Sequence, residues 1–216
     1  MVSALAQASD VVRACRRIYS AGLVQFGEGN VSARVPGADE FIITPTLNNY
    51  DKVSATDLVK MGFDGTQLGG GRKPSSEHRL HADIYVARPR VNFVIHTHSP
   101  YASMLSVARK PIPVVLEEMV IFLGGRVEVS EYVQANTEAL GKAAVVALGE
   151  SNAALLANHG MVAVGRNVDN ALKACELVEK MAQVFWGASQ VGEAHVVPAE
   201  FRKRFRDIFV EKYSTF

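Results

Sequence analysis

Three histidines and one glutamate have the residue types and the spacing of a metal-binding set. His96 and His98 are separated by one residue at the end of a predicted strand, where the side-chain period of two sends both imidazoles to one face. His159 lies in a tight turn between two apolar runs, and Glu77 lies near the start of a predicted helix. Together they supply three neutral nitrogen donors and one carboxylate. This set suits Zn²⁺, or a similar first-row ion such as Mn²⁺ or Co²⁺, with a position left for substrate or water.

Each of these residues also has an ordinary structural explanation when it is taken alone. Two histidines at a strand end can be hydrogen-bonded structural residues, a histidine in an Asn-His-Gly turn can serve the turn, and Glu77 can complement a helix dipole. His78, His81 and His195 are the competing histidines. His81 lies one helical turn after Glu77, but nothing in the sequence places it with the histidine pair. We therefore expect it to support the site from behind or to pack the helix.

Two serines that precede the same helix predict an anion site. Either Ser75 or Ser76 can act as its N-cap, and the free amide groups and positive dipole end of a helix start attract anions. Gly29, Asn30 and Thr46 can close around the same anion. The sequence predicts a phosphate or carboxylate cradle here, with simple helix capping as the alternative.

The hydrophobic pattern predicts the elements that must position these residues. Helical spacing marks the first twenty or so residues, a helix that ends before Pro89, residues 100–107 and 137–148, and a long helix capped around Asp169. Apolar and β-branched runs mark strands at residues 31–35, 41–44, 91–96, 153–157 and 161–164, of which the first two form a hairpin. We expect an α/β fold, a three-layer αβα sandwich with a mixed central sheet, in a single domain covering residues 1–216.

Composition narrows the class of protein. The chain has 216 residues with 48% hydrophobic content, enough for one substantial core. Its 23 Lys and Arg residues nearly balance its 22 Asp and Glu residues, so we expect no nucleic-acid partner, and we interpret the basic cluster at residues 202–206 as the solvated face of a helix. No leader and no run of about 20 apolar residues is found, which predicts a cytoplasmic protein without a membrane partner. Cys15 and Cys175 lie on apolar helix stripes and are expected to be core residues without a catalytic role.

Five short motifs, in family order and spread over most of the chain, resemble those of the class II aldolase and adducin family, in particular its L-fuculose-1-phosphate aldolases. The motifs are Gly29-Asn30-Val31-Ser32, Ile43-Thr44-Pro45-Thr46, Lys73-Pro74-Ser75-Ser76-Glu77, His96-Thr97-His98 and Asn158-His159-Gly160. The resemblance implies that the three histidines bind zinc and that Glu77 is the catalytic glutamate, which lies on the metal or beside it. It also implies that the substrate phosphate is held by Gly29, Asn30, Thr46, Ser75 and Ser76.

The resemblance further implies an activity and an assembly. It points to a metal-dependent lyase that cleaves a sugar phosphate or related hydroxy-ketone by retro-aldol chemistry through a metal-stabilised enediolate. The expected assembly is a cyclic homotetramer with active sites at subunit interfaces. A decarboxylase, epimerase or dehydratase of the same family is the main alternative, because these reactions need a similar intermediate. A non-catalytic adducin-like scaffold is a third alternative, which the intact metal ligands disfavour.

Two departures from the aldolase pattern affect the expected site. The family glycine after Thr-Pro-Thr is replaced by Leu47, whose side chain is expected to crowd the phosphate cradle. The tyrosine that a neighbouring subunit contributes as proton donor is missing, and spacing places Glu117 there. We expect Glu117 or Glu118 to replace it, partly buried and with a raised pKa, unless both are exposed and paired with basic residues. Tyr213, in the C-terminal tail, is a further candidate catalytic residue, because it matches a second family tyrosine.

Overall fold

A seven-stranded sheet forms the middle layer of the computed structural model, which describes residues 4–47 and 49–216. Its strands are β1 (Asn30–Arg34), β2 (Glu40–Ile43), β3 (Val59–Gly62), β4 (Gln67–Gly69), β5 (Phe93–Thr97), β6 (Ala153–Leu156) and β7 (Gly160–Gly165). They are arranged in the order β4-β3-β2-β1-β5-β7-β6. The helices are α1 (Ala4–Ser20), α2 (His78–Ala87), α3 (Pro100–Val107), α4 (Glu138–Leu148), α5 (Val168–Val191) and α6 (Ala199–Lys212). A short 3₁₀ turn at Ala55–Asp57 and a π-helical turn at Met119–Leu123 complete the described elements.

The alternation of side chains along β5 explains the three layers. Phe93 and Ile95 point into a core formed with α1, α3 and α5, whereas Val94 points into a second core formed with α2 and α4. Both cores are made of buried aliphatic and aromatic side chains. The expected three-layer α/β fold is therefore confirmed. His96 follows Val94 by two residues, so its side chain lies on the α2 side of the sheet.

The expected mixture of strand directions is wrong for the seven strands. Every pair of neighbouring strands is antiparallel, and among the described residues the parallel pairing is an isolated bridge between Val129 and Leu155. The helices between β5 and β6 do return the chain in the same direction. However, β7 inserts between these two strands and pairs antiparallel with both. A pattern of alternating helices and strands predicts strand direction only when consecutive strands become neighbours.

The start of α2 also differs from the sequence prediction. Glu77, and neither Ser75 nor Ser76, occupies the N-cap position, and the helix begins at His78. The His78 amide donates to the Ser75 carbonyl at 3.1 Å, and the Glu77 amide donates to Ser75 Oγ at 3.3 Å. These bonds form a turn before the helix, so some of the amides expected to be free for an anion already have partners.

Other predictions agree with the structure. The basic cluster lies on α6, and Cys15 and Cys175 are free, buried thiols. Burial raises the pKa of Cys175 to about 12, which keeps that thiol protonated and unreactive at neutral pH. Within residues 4–47 and 49–216, no helix combines the length and the hydrophobicity that a membrane span requires.

Candidate metal centre and substrate cleft

The four expected metal ligands lie together at one end of the sheet. The ligand atoms of Glu77, His96, His98 and His159 all lie within 4.8 Å of one another. His96 Nε2 is 3.0 Å from His98 Nε2 and 3.2 Å from Glu77 Oε2, and His159 Nε2 is 3.0 Å from Glu77 Oε1. The three imidazole rings are mutually edge-on, with centroids 4.7–4.8 Å apart. Three nitrogens and a carboxylate thus converge on one point.

Three different elements bring these side chains together. His96 lies in β5 and His98 just beyond its end, while His159 lies in the turn between β6 and β7. Glu77 precedes α2, which packs on the same face of the sheet. The approach of the turn to β5 requires Gly160, because a Cβ there would lie 2.3 Å from the Thr97 carbonyl oxygen.

The hydrogen-bonding partners of the histidine Nδ1 atoms determine whether the Nε2 atoms, which face one another, can act as metal ligands. His96 Nδ1 lies 2.8 Å from the Met161 carbonyl oxygen, which accepts only, so Nδ1 carries a proton and, in the neutral ring, Nε2 presents a lone pair. His98 Nδ1 faces the Glu28 carboxylate at 3.5 Å, which favours the same tautomer. Two lone pairs 3.0 Å apart repel each other unless a cation lies between them. The donor set therefore fits a divalent ion bound through Nε2 of the imidazoles.

The electrostatics of the centre also favour a positive charge. Burial alone would raise the pKa of Glu77, but the charge on His96 and the contacts with His159 and His96 lower it below its ordinary range. Burial lowers the pKa of His96, but the adjacent carboxylate outweighs it and raises this pKa above the usual value. Burial and the neighbouring His96 lower the pKa of His98 to about 3. Glu77 is therefore ionised, and its negative charge stabilises a proton or a metal cation bound between the four side chains.

The two oxygens of Glu77 have different surroundings. Asn30 Nδ2 donates a hydrogen bond of 2.9 Å to Oε2. Oε1 is buried and accepts no hydrogen bond among the described residues, although His159 Nε2 lies close to it. One oxygen is thus anchored, and the other is available to a metal ion or a proton.

A cleft of about 300 Å³ opens beside the four ligands. All five residues expected to form the anion cradle line it, namely Gly29, Asn30, Thr46, Ser75 and Ser76. At Gly29 the backbone has φ +72° and a Cβ would lie 2.6 Å from the His96 carbonyl oxygen, so glycine lets this loop reach the cleft wall. Ala135 and Asn136 also line the cleft, which no feature of the sequence had indicated.

Leu47 lies at the edge of this cleft without filling it. It has φ +51°, a backbone conformation that favours glycine, and its side chain is 82% exposed. The loop therefore carries a leucine at a position whose backbone conformation glycine adopts more readily. The expected crowding is limited to the mouth of the cleft.

The three other expected catalytic residues do not line the cleft of their own chain. Glu117 is exposed, and Glu118 is 41% exposed and pairs with Lys180 at 3.6 Å. Within a single chain, Glu117 is therefore exposed, whereas Glu118 is partly buried and paired with a basic residue. Tyr213 packs its ring edge-on against Phe122 with centroids 4.9 Å apart.

The hydrogen-bonding partners behind Glu77 include His81, which was expected to support the site from behind or to pack the helix, and two residues that the sequence had not indicated, Ser32 and Tyr85. Ser32, His81 and Tyr85 form a buried polar chain that continues from Asn30. Spacing could have revealed it, because His81 and Tyr85 follow Glu77 at helical steps of four while Ser32 follows Asn30 at the strand step of two. However, the sequence does not show how β1 and α2 are aligned against each other, so the helix residues cannot be matched with the strand residues that they contact.

Comparisons with known proteins point to one family of enzymes. A family model described as the class II aldolase and adducin N-terminal domain matches residues 9–186. A 5-methylthioribulose-1-phosphate/5-deoxyribulose-1-phosphate aldolase of Rhodospirillum rubrum is 34% identical over 215 residues, which is 99% of this chain and 94% of that protein. A 5-deoxy-D-ribulose 1-phosphate aldolase of Bacillus thuringiensis is 31% identical over 191 residues, 88% of this chain and 89% of that protein. A solved L-fuculose 1-phosphate aldolase superposes with a TM-score of 0.91 at 29% identity, covering 97% of this chain and 98% of the other.

Proposed function

Because the chain belongs to the class II aldolase and adducin family, we propose that it is a metal-dependent lyase that cleaves a ketose 1-phosphate by retro-aldol chemistry. The relatives named above are sugar-phosphate aldolases, so the expected type of enzyme, a class II aldolase, is confirmed. The observation that carries the proposal is the convergence of Glu77 and three imidazoles beside a cleft that is lined with small polar residues.

The metal in this proposal is zinc. Three imidazole nitrogens and one carboxylate form a ligand set that zinc accepts, and Mn²⁺ or Co²⁺ can use the same donors. His96, His98 and His159 would hold the ion, with Glu77 as the fourth ligand or immediately beside it. When bound, such an ion supplies Lewis-acid stabilisation of negative charge that develops on the substrate oxygens.

The phosphate of the substrate is assigned to the polar wall of the cleft. The hydroxyls of Thr46, Ser75 and Ser76 line it together with Gly29 and Asn30, and α2 begins immediately behind the serines. Hydroxyls and a helix N-terminus are suited to an anion. The phosphate would thus lie at one end of the cleft and the reacting carbons near Glu77.

Glu77 is assigned to proton transfer through Oε1. Cleavage breaks the carbon–carbon bond next to the carbinol, and a base must take the carbinol hydroxyl proton as an aldehyde forms. The electron pair of the broken bond passes to the ketone fragment as an enediolate, which must then gain a proton at carbon. Two proton transfers require two groups or one that acts twice, and Glu117 or Glu118 of a neighbouring copy is the proposed second group.

The proposal is tested with purified protein and a panel of ketose phosphates. The first substrates to test are 5-methylthioribulose 1-phosphate and 5-deoxyribulose 1-phosphate, which occur in the names of two relatives, followed by L-fuculose 1-phosphate. We expect aldehyde release that stops after chelation, returns with Zn²⁺, Mn²⁺ or Co²⁺, and is much slower with unphosphorylated ketoses. Absence of aldehyde from every phosphorylated ketose, with metal bound, would refute an aldolase. Carbon dioxide release from a keto acid would favour the decarboxylase alternative.

A further inference from the structure

A continuous chain of buried polar side chains runs from Glu77 into the layer between the sheet and α2. Glu77 Oε2 contacts Asn30 Nδ2 at 2.9 Å, and Asn30 Oδ1 contacts His81 Nε2. His81 Nδ1 lies 2.6 Å from Ser32 Oγ, which lies 2.7 Å from the Tyr85 hydroxyl. All five side chains are buried, and His81 and Ser32 have no exposed surface.

The chain exists because the helix and strand repeats have matching lengths. Four residues of α2 rise about 6 Å, and two residues of a strand rise about 6.6 Å. Glu77, His81 and Tyr85 therefore form a stripe whose members alternate with Asn30 and Ser32 of β1. Each side chain of this stripe forms hydrogen bonds with the nearest of the two β1 side chains, so the two sets interdigitate.

The direction of the hydrogen bonds follows from the end at Glu77. A carboxylate only accepts, so Asn30 must turn its Nδ2 toward Glu77 and its Oδ1 toward His81. His81 Nε2 must then carry the proton, and His81 Nδ1 must accept from the Ser32 hydroxyl. Tyr85 in turn donates to Ser32. Every donor in the chain points toward Glu77, and such aligned bonds reinforce one another.

We propose that His81 is a positioning residue that, as the neutral Nε2–H tautomer, orients the Asn30 amide and thereby anchors Glu77 Oε2 while Oε1 stays free. The inference rests on the proposed function insofar as it concerns proton transfer by Glu77. Burial lowers the pKa of His81 to about 3, with smaller effects from His96, Glu77 and His78, which agrees with a neutral ring. Without the His81 donor, Asn30 Oδ1 loses its partner, and the amide is held only by its bond to Glu77.

The tautomer is measured directly in ¹⁵N-labelled protein by long-range imidazole ¹H–¹⁵N correlation spectra. We expect the His81 signals to show protonated Nε2 and unprotonated Nδ1 at neutral pH, with and without zinc. A protonated Nδ1 would reverse the chain and overturn the proposal. This measurement needs no substitution in the site and no substrate.

Two substitutions at His81 separate positioning from packing. His81→Gln places an amide nitrogen near the position of Nε2, where it can donate to Asn30, whereas His81→Asn reaches only the position of Nδ1. We expect His81→Asn to lower zinc affinity and kcat roughly 10- to 100-fold, as loss of an outer-shell partner does, and His81→Gln to retain most of both. Equal losses in both variants, or no loss in either, would overturn the proposal.

A buried neighbour provides the matched control. Leu80 lies beside His81 on α2 and is buried in the apolar core formed with α2 and α4. Leu80→Ala should lower Tm without changing zinc affinity, whereas His81→Asn should change affinity out of proportion to its Tm. If zinc affinity instead follows Tm across all three variants, His81 acts only through packing.

The outcomes also separate this inference from the proposed function. Zinc affinity and the tautomer are measured without any sugar phosphate. A protein that cleaves no ketose phosphate but ranks parent, His81→Gln and His81→Asn in that order for zinc affinity would refute the function and retain the positioning role. A protein with full aldolase activity in both variants would refute the positioning role alone.

Discussion

At the scale of single residues, the second acid is the part of the mechanism that most needs an experiment. Glu118 pairs with Lys180 on the surface, and exposed pairs of this kind contribute only about 0–1 kcal/mol to stability. We expect Glu77→Gln to lower kcat by about 10²–10⁴, and the substitution Glu117→Gln or Glu118→Gln at the true second acid to cause a comparable loss. Lys180→Met is the control, because it breaks the surface pair and leaves the carboxylate. If both glutamine variants keep the parent kcat while Glu77→Gln is inactive, the pair is structural.

Leu47 provides a second test at this scale. Leu47→Gly should strengthen the binding of inorganic phosphate and lower KM for a phosphorylated substrate, because it removes the side chain at the cleft mouth. Relief of the left-handed conformation, worth about 1–2 kcal/mol, is partly offset by the added chain entropy of glycine, about 0.5–1 kcal/mol. The free energy of unfolding should therefore change by about 1 kcal/mol or less. Leu47→Ala, which removes the bulk and keeps the β carbon, is the control, and unchanged phosphate affinity in both variants would contradict the prediction.

The residues that the sequence could predict are those whose chemistry shows in short motifs. The side-chain period of a strand is enough to predict that His96 and His98 share a face. A predicted helix start is enough to suggest an anion site at Ser75 and Ser76. For His81 the sequence left two roles open, because its partners Asn30 and Ser32 are 51 and 49 residues away in the chain. The surroundings of Glu117 depend on contacts that a local pattern does not contain.

At the scale of elements, the sequence predicted those with a long or strongly apolar pattern. α3, α4 and α5 and the strands of the sheet centre lie within a few residues of their predicted positions. β3 has four residues and β4 has three, and β4 is an exposed edge strand with little hydrophobic pattern. Short edge strands form because a neighbour offers hydrogen bonds, and this cannot be seen in the strand itself.

The layer between β1 and α2 should make the protein sensitive to acid. His81 has a pKa of about 3 in the folded protein and an ordinary value near 6.5 when unfolded. The unfolded chain therefore binds more protons below pH 6.5, so the stability contributed by this neutral ring is complete above pH 6.5 and falls as the pH drops toward 3. At pH 5 the loss is roughly 2 kcal/mol.

The measurement is urea unfolding of metal-free protein at pH 7 and pH 5. The lowered pKa of His98 also reduces the free energy of unfolding as the pH falls from 7 to 5. The raised pKa of His96 has the opposite effect. The comparison with His81→Gln isolates the residue, because the other groups remain. The parent should lose roughly 2 kcal/mol more than the variant, and equal losses would show that His81 is not buried as a neutral ring.

At the scale of the whole molecule, the two acids proposed for proton transfer do not meet in the cleft of one chain, as far as residues 4–47 and 49–216 describe it. Glu77 is the carboxylate that lines it together with Glu28, while Glu117 and Glu118 lie elsewhere on the surface. Phe26, next to the cleft loop, is 98% exposed and has φ +48°, a backbone conformation that is uncommon for residues other than glycine. A homotetramer in which neighbours complete each site would account for both observations, with residues 1–216 as one domain in each subunit.

Sedimentation combined with activity assays tests this assembly. We expect a species larger than a monomer, most simply a tetramer, whose dissociation on dilution is accompanied by loss of kcat. Mixing inactive Glu77→Gln chains with chains inactive through the second acid should restore part of the activity, because mixed assemblies contain some intact sites. A monomer that is fully active at assay concentration would contradict the proposed assembly.

The measurement that tests the central claim most directly is a crystal structure of the zinc-loaded protein with anomalous data at the zinc edge. We expect one zinc ion per chain, bound by Nε2 of His96, His98 and His159 at about 2.0–2.1 Å, with a Glu77 oxygen on the ion or next to it. Substitution of any of the three histidines by alanine should abolish this peak. The account would be contradicted by saturating zinc that binds elsewhere, or by three histidines that stay metal-free while the protein is active.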